Sequence, residues 1–103
     1  MKIAIASSKQ DTSSEVNLQA GRAPYYLIFD DEKSLLESIK NPFVIGGGGA
    51  GYGVAKMFSD RKVDLAIAGE FGQNMENALA EKGIKYDKMR GSVKEVLDKL
   101  ISG

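Results

Sequence analysis

The sequence predicts a three-layer α/β/α domain, and three observations carry that expectation. Strand-like segments fill the first 40 residues, helix-like and strand-like segments then alternate to the end, and the composition is that of one ordinary globular unit. The resulting order, β-β-β-α-β-α-β-α, calls for a mixed sheet sandwiched by helices, with antiparallel neighbours early and βα units later. With 103 residues, 43% of them hydrophobic and 27% charged, the chain can bury roughly two-thirds of its unfolded surface in one core. It is too short for two, so residues 1–103 are expected to form a single domain.

Ile3 and Ile5 alternate with small residues over 2–6, which predicts a buried first strand ending at Ser7 and Ser8. Residues 9–20 are polar, with Asp11, Thr12, Ser13, Ser14 and Asn17, and are expected to form an exposed loop of functional length. The aromatic and β-branched stretch 25–30, bounded by Pro24 and by Asp30-Asp31-Glu32, predicts a second strand followed by a turn. Residues 34–40 fit either a helical face through Leu35, Leu36 and Ile39 or a ragged strand; their shortness and the acidic turn before them favour the strand. Asn41-Pro42 ends it.

Glycines then lead into Val54, Ala55, Met57 and Phe58, spaced as the apolar face of a helix that stops near Asp60. Residues 63–68, apolar except for Asp64, predict a central strand covered on both faces. Met75, Ala78 and Leu79 mark a second helix with Gly83 as its left-handed C-terminal cap. Residues 84–86 predict the last strand. Ser92-Val93-Lys94-Glu95 is a capping-box pattern opening a helix with Val93, Val96, Leu97, Leu100 and Ile101 inside.

There is no cysteine and no histidine. A disulfide framework, a thiolate zinc site, a cysteine nucleophile and a serine-histidine triad are therefore excluded together. Fourteen cationic side chains balance fourteen acidic ones without a basic stripe, which makes nucleic acid a poor partner. The N-terminus turns polar at Ser7, too soon for a signal peptide or a membrane span, so a cytoplasmic protein is expected.

The loudest motif is Ile45-Gly46-Gly47-Gly48-Gly49-Ala50-Gly51-Tyr52-Gly53. Gly46, Gly48 and Gly51 satisfy G-x-G-x-x-G, in which bare backbone N–H groups and a helix N-terminus receive an anion, and Glu70 lies where a ribose-binding acid would be. The strand before the motif, Phe43-Val44-Ile45, is short for a dinucleotide fold, and no Lys-Ser or Lys-Thr follows for a phosphate loop. Nucleotide binding, capture of another anion and a purely structural glycine turn all remain open on this pattern. Ligands of open α/β sheets sit outside the carboxyl ends of parallel strands, which would gather Ser7, Ser8, the glycine loop and residues 69–74 into one polar pocket, with Arg22 available to complement negative charge. Tyr25, Tyr26 and Tyr52 are expected to pack, Met57 and Met75 to be core, and Asp30, Asp64 and Glu70 to lie too far apart for two-metal hydrolysis.

Gly21-Arg22-Ala23-Pro24-Tyr25-Tyr26, the glycine loop, Val63-Asp64-Leu65-Ala66-Ile67-Ala68-Gly69 with Gly72, and Gly83-Ile84 occur in an order that resembles the dinitrogenase iron-molybdenum cofactor biosynthesis family, the NifX-like domains also found in NafY and at the C-terminus of NifB. The resemblance spans nearly the whole chain. It implies a ribonuclease H-like fold with a five-stranded mixed sheet, and a non-enzymatic carrier that holds the iron-molybdenum cofactor or its iron-sulfur precursor between cofactor-assembly proteins. It also leaves open a stand-alone member without an assigned role. Many members carry Ser-x-His-Phe-Gly before Arg-Ala-Pro, whereas this chain has Asn17-Leu18-Gln19-Ala20-Gly21, with Gln19 in the histidine position. An amide donates hydrogen bonds to sulfide or carboxylate but is a poor ligand for a soft metal.

The site expected from these readings comprises Ser7, Gln19, Arg22, Gly46, Gly47, Gly48, Gly49, Gly51, Gly69 and Gly72, with no residue assigned as catalytic or metal-ligating. Its ligand would be an anionic metallocluster or another small anion, with a nucleotide or phosphate module as one alternative and an edge-strand interaction domain, monomeric or weakly dimeric, as the other.

Overall fold

The computed structural model describes residues 1–43 and 50–101. The expected strand Phe43-Val44-Ile45 and the glycines Gly46, Gly47, Gly48 and Gly49 thus fall largely outside the described residues. Eight elements follow in order: β1 (Ile3–Ser7), β2 (Tyr25–Phe29), β3 (Leu35–Lys40), α1 (Ala50–Asp60), β4 (Leu65–Ala68), α2 (Gln73–Glu81), β5 (Lys85–Lys88) and α3 (Val93–Leu100). The five strands form one mixed sheet in the order β3-β2-β1-β4-β5. β1 pairs antiparallel with β2 and parallel with β4, β2 pairs antiparallel with β3, and β4 pairs parallel with β5.

The alternation along β1 decides how the layers differ. Ile3 and Ile5 point into a cluster with Leu27, Phe29, Ile67, Val93, Val96 and Leu97, where large sheet residues meet the single helix α3. Ala4 and Ala6 point the other way, together with Ala66 and Ala68, into the cluster of Val54, Phe58, Met75 and Leu79 from α1 and α2. Small residues on that face let two helices approach closely and fill the space with their own side chains. Tyr26 and Phe58 meet there edge to face, with ring centroids 5.0 Å apart.

The expected three layers and five-stranded mixed sheet are what the chain forms, and residues 35–40 are a strand. The expected central strand is β4, interior between β1 and β5 with Ala66, Ile67 and Ala68 buried, and β1, all five of whose residues are buried, lies in the middle of the sheet. Two readings need correction. The last strand runs over Lys85–Lys88 at an edge with all four residues exposed, while Ile84 packs beneath it. Residues 9–20 do not form a uniformly exposed loop: bridges Ser7↔Val16, Glu15↔Ser92 and Gln19↔Glu70 pin them down, with Ser14, Val16 and Ala20 buried.

Local signals held where the backbone itself demanded them. Gly83 has φ +71° just past α2, a conformation glycine adopts without a Cβ penalty. At α3 the capping box is complete, with Glu95 N–H donating to Ser92 Oγ at 3.1 Å and Ser92 N–H donating to Glu95 Oε1 at 3.2 Å. These bonds from the backbone and then the hydroxyl of Ser92 hold the Glu95 carboxyl below its usual value.

The expected consequence of Ser92→Ala is a loss of about 1 kcal/mol, equivalent to about 4–8 °C in Tm for a domain of this size. A folded-state pKa below the unfolded one contributes stability that is complete above the ordinary carboxylate range and is lost as pH falls through the folded value. Glu95→Gln should therefore flatten the acid limb of a Tm-against-pH profile.

Candidate functional site

β1, β4 and β5 run parallel, and their carboxyl ends open on one edge of the sheet. Residues 17–20 cross that edge as an added strap. Asn17 N–H donates to the Ala6 carbonyl at 2.8 Å, Gly69 N–H to Asn17 at 2.9 Å, Glu70 N–H to Leu18 at 2.7 Å and Ala20 N–H to Glu70 at 3.1 Å. Gly69 has to lack a side chain here, because a Cβ would lie 2.9 Å from Leu18 Cα and 2.7 Å from its Cδ2.

Below the strap is a cavity of about 360 Å³ walled by Gln19, Arg22, Gly51, Glu70, Gly72, Asn74 and Met75 among others. Two helices begin on it. α2 starts at Gly72, which has no side chain to cap the first-turn amides, and its first helical bond is Glu76 N–H to Gly72 O at 3.0 Å. α1 starts at Ala50 and Gly51 beside it, so close that a Cβ on Gly51 would sit 3.1 Å from Met75 Cα and N. Adjacent helix N-termini put positive dipole ends on the same cavity, and Gly72 adds no side-chain cap to the first turn of α2, the arrangement that receives an anion.

The wall carries full charges in Arg22 and Glu70. Lys88 Nζ lies 3.3 Å and Arg90 Nη2 lies 3.5 Å from the Glu70 carboxylate, which is thus offset by two cations. A second cleft of about 680 Å³ lies on the other side of the strap and shares Leu18, Gln19 and Arg22 with the first.

Arg22 is presented by a turn that is held from below. Asn41 is buried, and its Nδ2 donates to the carbonyls of Ala23 at 2.9 Å and Gly21 at 3.3 Å and to the Tyr26 hydroxyl at 3.2 Å, while its Oδ1 accepts from Phe43 N–H at 2.8 Å. The Tyr26 hydroxyl in turn donates to the Ala20 carbonyl. Burial pushes that phenol well above its usual pKa, which keeps it a neutral donor.

Of the expected site residues, Gln19, Arg22, Gly51 and Gly72 come together on this cavity, and Gly46, Gly47, Gly48 and Gly49 lie outside the described residues. Ser7 and Gly69 are at the same sheet edge but not on the wall. Ser7 is fully buried, its hydroxyl bonded to Ser14 Oγ and to the Lys9 carbonyl, and Gly69 serves the passage of the strap. Met75 is core, as expected, and is also the one thioether on the described wall; Tyr52, expected to pack, is 44% exposed. Asn41 and Leu18 carry parts of the site that the sequence did not mark, while Asn74 lies on the wall within the stretch 69–74 expected there. The Asn-Pro pair after a strand was the only available signal for Asn41, and it reads first as a strand terminator.

Among the described residues no three Asp, Glu, His or Cys side chains converge to hold a metal ion. The donors present are backbone N–H groups, amides, guanidinium and a thioether. They suit a bulky anionic cluster held through hydrogen bonds and charge, and do not form a ligand set for a bare cation.

Fold and cavity thus define a small α/β domain with a cavity at the carboxyl ends of its parallel strands. The chain belongs to the dinitrogenase iron-molybdenum cofactor family, whose sequence model matches residues 1–103. This family comprises domains for binding and assembling that cofactor. No curated protein matches the chain. Among solved structures, that of a putative NifB protein from Thermotoga, assigned to the DUF35 family, is 30% identical with a TM-score of 0.84, covering 99% of this chain and 88% of its own. The apo form of the orange protein from Desulfovibrio gigas shares the fold at TM-score 0.90 and 22% identity, with 99% and 88% coverage. The structure of PH0822 does so at 0.82 and 18%, with 100% and 92%.

Asn41→Leu should cost about 2–4 kcal/mol by stranding buried backbone groups at about 1–3 kcal/mol each, seen as a lowered midpoint in urea unfolding. Gly51→Ala should cost about 1–3 kcal/mol, since the atoms it meets are backbone and the helices must separate. Unchanged unfolding in either variant would contradict the geometry described.

Proposed function

We propose that this protein is a non-enzymatic carrier that holds an iron-molybdenum cofactor, or an iron-sulfur precursor of it, as cargo in the cavity below the strap. The observation that carries this reading is the convergence of two helix N-terminal turns, that of α2 without a side-chain cap, with Arg22 on one cavity, in a chain of this family. A sulfide-rich cluster is large, anionic and preassembled, so it needs no protein-supplied metal ligand to be retained. Hydrogen bonds from N–H groups and the guanidinium supply affinity while leaving the cargo exchangeable, as transfer between assembly proteins requires. Gln19, in the position where many relatives have histidine, acts here as a hydrogen-bonding amide. We propose Gly46, Gly47, Gly48 and Gly49 as further residues for the cargo, and the single domain 1–103 as a cytoplasmic carrier. No helix among the described residues is long and apolar enough to cross a membrane, which accords with that placement.

Glu70 counts against the nucleotide alternative, since its carboxylate is engaged with Lys88 and Arg90 and is not presented to a ribose.

The test is an anaerobic titration with the complete cofactor and with its iron-sulfur precursor, followed by gel filtration with iron, molybdenum and visible-absorbance analysis. Stoichiometric co-elution is expected, and absence of retained metal with both overturns the reading. Arg22→Ala should weaken retention by about tenfold or more, the worth of a charge-assisted hydrogen bond at about 1.5–3 kcal/mol, with Tm nearly unchanged because Arg22 is exposed.

A further inference from the structure

The two edges of the sheet are not alike. β5, Lys85–Lys88, has two lysines in four residues, and the N–H of Lys88 is already bonded to the Asp87 carboxylate at 2.9 Å. Lysines and an occupied edge amide are the usual means of blocking strand addition. β3, Leu35–Lys40, has six residues, no proline, a single lysine, and two adjacent leucines that are 45% and 49% exposed. Its one acidic residue, Glu37, is held by Arg61 at 3.1 Å.

The register settles which backbone groups are open. Asn41 N–H donates to Pro24, and Ile39 and Glu37 lie opposite Tyr26 and Ile28, so the odd positions face β2. Ser38 and Lys40 turn their N–H and C=O groups outward. Leu36 has no opposite number on β2 because the register shifts there, and it is the exposed residue next to that row.

We infer that β3 pairs antiparallel with β3 of a second copy of this chain, about a two-fold axis through Ser38. Outward residues have to meet outward residues, and that leaves three registers over this edge. Centring on Glu37 sets two carboxylates directly opposite each other, which is repulsive. Centring on Ile39 sets Leu36 opposite Pro42, which has no N–H to give. Centring on Ser38 sets Ser38 against Ser38, Leu36 against Lys40 and Glu37 against Ile39, with no like charges opposed and no proline in the ladder. The two serines can hydrogen-bond, and each lysine stem covers a leucine while its ammonium reaches water.

The blocked β5 edge then explains why assembly stops at two. A chain with two open edges would add copies without limit, whereas one open edge closes on itself as a dimer. One strand pair buries far less than the roughly 1,600 Å² of a standard stable interface, so the dimer forms only at high protein concentration. Because the strands run in opposite directions, the two cavities open at opposite ends of the joined sheet. The inference therefore stands apart from the carrier reading, and each can fail alone.

Sedimentation velocity from micromolar to millimolar protein tests it on three forms. The wild-type chain should shift toward dimer mass as concentration rises. Leu36→Lys sets lysine opposite Lys40 twice and should weaken association by about tenfold or more. Leu36→Lys with Lys40→Glu restores opposite charges in this register alone and should recover most of it. Both positions are exposed, and an unchanged Tm verifies folding of each form. A wild-type chain that stays monomeric at millimolar concentration, a single variant that associates like wild type, or a double variant that fails to recover overturns the inference.

Discussion

The buried amide of Asn41 joins the sheet to the site. It reaches under the turn at residues 20–23, bonds two of its carbonyls and the Tyr26 hydroxyl, and so locks the base of Arg22 to the ends of β2 and β3. An Asn side chain offers two N–H donors and here meets three acceptors, the Gly21 carbonyl being the most distant at 3.3 Å. Every buried side-chain polar atom among the described residues has a partner. In a low-dielectric interior a network that is fully satisfied specifies one geometry, because any alternative leaves a dipole stranded.

The strap at residues 17–20 depends on the same economy of space. It can lie across the end of β4 only because Gly69 presents no side chain, and α1 and α2 can start side by side only because Gly51 does not. These two absent side chains are what bring two helix N-termini and one turn around a single cavity. Gly51 and Gly69 thus shape the cavity edge by permitting close backbone approach. Charge is arranged with similar restraint, as Glu70 on the cavity wall holds Lys88 and Arg90 through exposed pairs of little net stability.

The proposed cargo site and the proposed pairing strand lie on different edges of one sheet. The carboxyl ends of β1 and β4 face the cavity, where the parallel arrangement concentrates N–H groups, while the long side of β3 offers a ladder. Family membership accords with a carrier, and a weakly held cargo accords with a site built from hydrogen bonds in a chain that has neither histidine nor cysteine.

Patterns with short range were legible in the residues alone: the order of elements, the β3 strand, the Gly83 cap and the Ser92 capping box each depend on neighbours within a few positions. The lack of cysteine and histidine likewise bounded the chemistry, and Arg22, Gly51 and Gly72, with Gln19 added by the family resemblance, share one cavity wall. Tertiary structure decided what depends on contacts across the chain. Ser7 looked like a pocket-lining hydroxyl at a strand end and is consumed by Ser14, residues 9–20 looked solvated and are stitched into the sheet, and Asn41 looked like a terminator and is a buried anchor. Polarity in a sequence does not distinguish a side chain that faces water from one whose hydrogen bonds are all met inside, because that depends on partners many positions away.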